Sequence, residues 1–129
     1  MKNAKLQYLC ALNREIFRLE KIEAQMQKSR DCEKRKDFQR DLDWCKEEKI
    51  RLIKENLLED LELTKEEKVM ASFYYYEGET WERAFADMVL KLELTTYNEY
   101  SDDELSKCRN TLKKYILRKV ERYTNYYRK

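Results

Sequence analysis

The sequence predicts an all-α protein, an N-terminal helical hairpin or arm followed by a three-helix, helix-turn-helix-like domain. Three observations predict it. The chain of 129 residues holds one glycine and no proline, so little in it breaks a helix once one has started. Its apolar residues recur at steps of three and four, the period of a helix with one buried stripe. The lone glycine, Gly78, falls between two such segments, inside Tyr74-Tyr75-Tyr76-Glu77-Gly78-Glu79-Thr80-Trp81. A glycine there can take the left-handed conformation that closes a helix, and Thr80 supplies a hydroxyl to cap the next one. The pattern divides the chain into an arm, 1–62, and a helix-turn-helix-like domain, 63–129.

The first helix runs from Leu6 to about Lys28, with Leu9, Leu12, Ile16, Leu19, Ile22 and Met26 on one stripe and Phe17 widening it. The polar stretch Gln27 to Asp37 reads either as a turn or as continuous solvated helix. A second stripe passes through Phe38, Leu42, Cys45, Ile50, Ile53, Leu57 and Leu61, broadened by Trp44 and Leu52. Two such segments in sequence make an antiparallel hairpin. A charged arm of this kind usually serves packing or self-association, and a homodimer is the expected assembly.

Thr64 and Glu67 stand three apart and form a capping box that opens the third helix. Val69, Met70, Phe73 and the tyrosine triplet describe its faces. Successive helical residues point about 100° apart, so three adjacent tyrosines cannot make one stacking platform, and core packing is the expected use of at least one ring. After Gly78, Trp81, Phe85 and Met88 share one face, and Ala84 leaves room for close helix approach. Glu93 to Tyr100 reads as a loop. Ser101 and Glu104 give a second capping box, which launches the last helix.

The net charge of +2 conceals a division. Residues 105–129 carry nine basic side chains against Glu121 alone, residues 55–104 carry four basic and fifteen acidic, and the first 54 residues hold a net +5. The last helix, 102–123, puts Leu105, Cys108, Leu112, Ile116, Val120 and Tyr123 on an inner stripe. Its other faces carry Lys107, Arg109, Asn110, Lys113, Lys114, Arg118 and Arg122. A basic helix placed third in such a unit has the character of a DNA-recognition helix. Arginine and lysine neutralise phosphates or fork onto guanine edges, and an asparagine amide pairs with adenine. Asp102, Asp103 and Glu104 favour the helix dipole but repel phosphates, so the contact is expected from the middle of the helix.

Other classes find less support. The chain has no histidine to act as a general base, no glycine-rich phosphate loop and no nucleophile motif, so no enzymatic activity is expected. Its four cysteines, at 10, 32, 45 and 108, form no CxxC pair. Neither a metal, nor another cofactor, nor a disulfide is expected from that spacing. Cys45 and Cys108 read as small core residues, and Cys32, in a charged connector, as an exposed one. No apolar run is long enough to span a bilayer and no signal peptide is evident, which predicts a cytoplasmic protein without membrane contact.

The run Tyr75-Tyr76-Glu77-Gly78-Glu79-Thr80-Trp81-Glu82-Arg83-Ala84-Phe85-Ala86 resembles a short signature of phage and prophage late-gene regulators, the ArpU- and RinA-like proteins. These are related in shape to the promoter-reading region 4 of sigma factors. The resemblance covers roughly the second half of the chain. It implies a transcriptional regulator acting in a bacterial host cell, with double-stranded DNA as its partner. The DNA-reading helix would correspond to Ser106, Lys107, Arg109, Asn110, Lys113 and Lys114. The arm would dimerise or meet RNA polymerase. Two alternatives stand beside it: a non-enzymatic inhibitor or adaptor that binds a host nucleic-acid-processing protein through the acidic block, and, less favoured, a terminase small subunit.

Overall fold

The computed structural model describes residues 2–26 and 32–127, of which the side chains of 2–3, 26, 32–35, 60 and 123–127 are not described. The described residues are all-helical, with no strand among them. Five α-helices follow in order: α1 (Lys2–Met26), α2 (Cys32–Ile53), α3 (Lys65–Tyr75), α4 (Trp81–Lys91) and α5 (Asp102–Tyr127). Short 3-10 turns, Glu59–Leu61 and Thr95–Glu99, precede α3 and α5. The segment expected to be a loop, 93–100, therefore contains a 3-10 turn. Residues 27–31 of the polar connector, the exposure of Cys32 and the inward placing of Met26 and Tyr123 lie outside what is described. No described helix is long and apolar enough to cross a membrane.

Helices α1 and α2 form the predicted hairpin, and α1 also packs against α3 and α5. One hydrophobic cluster results. Leu6, Leu9, Leu12 and Leu19 of α1 join Leu42, Cys45 and Leu52 of α2, Met70, Ala71 and Tyr75 of α3, Ala84, Phe85 and Met88 of α4, and Ile116 and Val120 of α5. Burial of this continuous stripe, rather than the helices' own propensity, is what holds such charged helices in place. Three apolar residues expected on the core side are instead exposed: Phe17 (60%), Trp44 (55%) and Ile50 (53%). The buried line of α2 is centred on Leu42, Cys45 and Leu52, and Trp44 and Ile50 lie on opposite flanks of it. Phe17 faces a cleft shared with Tyr74 and Gly78, and the Lys21 ammonium lies 4.5 Å from its ring centre.

Three junctions position α5. The Thr64–Glu67 capping box is complete, each side chain bonded to the other's backbone N–H at 3.2 Å. At the second junction Gly78 adopts φ +73°, and a Cβ there would lie 3.1 Å from Asn13 Cγ. The Asn13 amide donates to the Tyr75 carbonyl at 2.8 Å, which ties α1 to the end of α3. Thr80 Oγ1 accepts from the Arg83 N–H at 3.2 Å and starts α4. At the third, α4 ends in a reciprocal pair of bonds, Glu93 N–H to the Leu90 carbonyl (3.2 Å) and Leu94 N–H to the Val89 carbonyl (3.0 Å). This is a Schellman closure with Glu93, at φ 54°, where glycine is usual.

Candidate nucleic-acid interface

The tyrosine triplet is spent on structure. Tyr75 is buried, and burial pushes its hydroxyl pKa up, with the Cys10 thiol and Tyr74 adding to the effect. Tyr74 stacks on Trp81 across the glycine turn, ring centres 3.8 Å apart and planes 11° from parallel. The Tyr76 hydroxyl accepts the Leu58 N–H at 3.3 Å. Tyr75 also meets Trp81, edge to face with ring centres 6.2 Å apart, so Trp81 gathers two of the three rings while Tyr76 turns to Leu58.

The inner face of α5 is anchored by an ion pair that the sequence did not signal. Glu67, the capping-box residue of α3, is only 3% exposed. One of its carboxylate oxygens receives the Lys119 ammonium at 2.7 Å, and that ammonium also donates to the Glu62 carbonyl at 3.2 Å. Burial pushes the Glu67 pKa up, but the hydrogen bonds from Lys119 and Thr64 outweigh it and hold the carboxyl below its ordinary value. Lys119 is therefore a fastener and not part of an outward basic surface.

The eight sequence-selected residues fall into two groups. Lys107, Asn110, Lys114, Arg118 and Arg122 are exposed. At 100° per residue, Lys107, Lys114 and Arg118 lie within about 20° of one line, with Asn110 and Arg122 about 60° to either side. The stripe is about 22 Å long at 1.5 Å per residue, and the one acid between 107 and 122, the exposed Glu121, lies about 40° from its line near the far end. Ser106, Arg109 and Lys113 are half-buried, turned by roughly 100–160° from that line. Ser106 and Arg109 line a groove against α4, and the Lys113 ammonium lies 5.7 Å from the Trp81 ring centre, within cation–π range. The acidic first turn, Asp102 to Glu104, is exposed, with the Glu104 N–H held by Ser101 Oγ at 3.3 Å.

Chemically, the exposed stripe offers four cations and one amide on a helix whose other side is locked. That set suits phosphate neutralisation with some base-edge reading. No protein-family model matches the chain, and no curated protein or solved structure matches it closely enough to show a family.

Proposed function

We propose that the chain is a small, non-enzymatic DNA-binding transcriptional regulator of the phage or prophage type that its Gly78 motif resembles. In this reading the middle of α5 meets duplex DNA, α3 and α4 brace it, and the protein works in the cytoplasm of a bacterial host. The observation that carries the proposal is the exposed line Lys107, Lys114 and Arg118, flanked by Asn110 and Arg122, on a helix fixed from behind by Glu67–Lys119. Phosphate contacts from such a line would set register, and Asn110 would supply base discrimination. A second reading, an inhibitor or adaptor for a nucleic-acid-processing protein, draws on the exposed Glu82, Asp102, Asp103 and Glu104.

The test is the double variant Lys114→Ala/Arg118→Ala, titrated with duplex DNA by fluorescence anisotropy over a range of salt. Both side chains are exposed, so the circular dichroism spectrum should be unchanged. The slope of log affinity against log salt should fall by about two. An unaltered slope would remove α5 as the reading element. Arg109→Ala is the contrasting variant: pointing into the groove, it should change the slope by less than either stripe residue.

A further inference from the structure

A groove of about 580 Å³ opens between α4 and the first turns of α5. Phe85, Val89, Leu90, Tyr97 and Leu105 line it, and Leu90 is 75% exposed, the most among the large apolar residues described. Its charged lining residues are Glu82, Asp102 and Arg109, two acids to one cation. The surrounding segment, residues 79–104, carries eight acidic and two basic side chains. An occupant matched to this surface has apolar or aromatic anchors set among positive charges.

The chain itself contains such a segment. Residues 123–129 read Tyr-Thr-Asn-Tyr-Tyr-Arg-Lys, three aromatic rings and two cations without an acid. The same molecule cannot place it there. Helix α5 is continuous from Asp102 to Tyr127, so position 123 stands about 27 Å along the axis from Leu105 in the groove. The segment must come from another molecule, and a two-fold axis makes the exchange reciprocal, because each copy has one groove and one segment.

We infer that a second copy of this chain docks its 123–129 segment into the α4–α5 groove, forming a symmetric dimer with two such contacts. Charge complementarity sets the direction, the acidic rim of one copy meeting the basic end of the other. Lys107 and Lys114 point away from the groove, so the groove and that part of the basic line use different sides of α5. The inference does not depend on DNA binding and is read without DNA.

Sedimentation equilibrium of the full chain tests it. The wild type should be a dimer. Leu90→Glu, at an exposed position that leaves folding intact, should raise the dimer dissociation constant at least ~tenfold, and Tyr126→Ser/Tyr127→Ser should do the same from the other side of the contact. The decisive arm is a charge exchange. Glu82→Lys/Asp102→Lys and Arg128→Glu/Lys129→Glu chains should each be monomeric alone and should form a one-to-one heterodimer when mixed. A monomeric wild type would overturn the inference. So would a dimer indifferent to both the Leu90 and the tyrosine changes, or charge-exchanged chains that do not pair.

Discussion

Replacing Lys119 with methionine isolates the ion pair on which the placing of α5 depends. Methionine keeps most of the apolar stem and its packing, and removes only the charge. Glu67 would then sit 3% exposed without the ammonium that now lies 2.7 Å away. Removing one partner of a fully buried pair costs about 3–5 kcal/mol. The Lys119 side chain retains 27% exposure, so part of that cost is screened, and about 2–3 kcal/mol is the expected loss. The pH dependence carries a sign. In the wild type the folded-state Glu67 pKa lies below its ordinary value of 4.5, so its contribution is present above that value and is lost as pH falls through the folded-state value. In Lys119→Met the Thr64 hydrogen bonds remain but the ammonium is lost, so the folded-state pKa rises from its wild-type position and the variant gives up less stability on protonation. The gap between wild type and variant, measured by urea unfolding with circular dichroism, should be widest near about pH 7 and narrow toward about pH 4. A gap below about 0.5 kcal/mol near neutrality, or one that grows on acidification, would refute the reasoning. Under conditions where the variant is folded, its DNA affinity should match the wild type, because Lys119 does not belong to the exposed line.

Other substitutions test the junctions. Gly78→Ala should cost about 1–2 kcal/mol, because φ is +73° and the new Cβ would meet Asn13. Adding Asn13→Ala should remove the contact part of that penalty but not the backbone part, which a double-mutant cycle in urea would measure. Glu93→Gly should stabilise by about 0.5–1 kcal/mol, since it relieves a left-handed glutamate; a lower urea midpoint would contradict this. Burial, together with the neighbouring Asp87 carboxylate, pushes the Glu79 pKa up. Its charge therefore opposes folding near neutrality and is neutralised as pH falls, so Glu79→Gln should raise the midpoint near about pH 7 and lose that advantage near about pH 4.

The all-helical fold and its junctions were largely legible because they rest on local signals. Gly78, Thr80 and the Thr64–Glu67 spacing each act within one turn, and the structure uses them as their chemistry directs. The turn after α4 was less legible: the same kind of closure is made with Glu93, a residue that gives no turn signal. The Glu67–Lys119 pair joins residues 52 apart, and although the capping box singles out Glu67, nothing in the sequence pairs it with Lys119. Candidate residues on α5 were visible by type, and the inner stripe by period. The further division, with Arg109 and Lys113 turned toward α4 and Lys107, Lys114 and Arg118 turned outward, depends on where α4 crosses α5. Periodicity cannot supply that crossing. Trp44 and Ile50 show the same limit on the arm, where the apolar stripe took in Ile50 and was broadened to Trp44, and the pairing of α1 with α2 leaves both exposed.

Selection from a random duplex DNA pool, run at two salt concentrations with the wild-type protein, tests the central claim most directly. An enriched motif that survives the higher salt is the predicted result, because base contacts add to phosphate attraction and keep their discrimination when that attraction is screened. Motif-free binding that disappears with salt would contradict a sequence-reading α5 and leave only a basic helix.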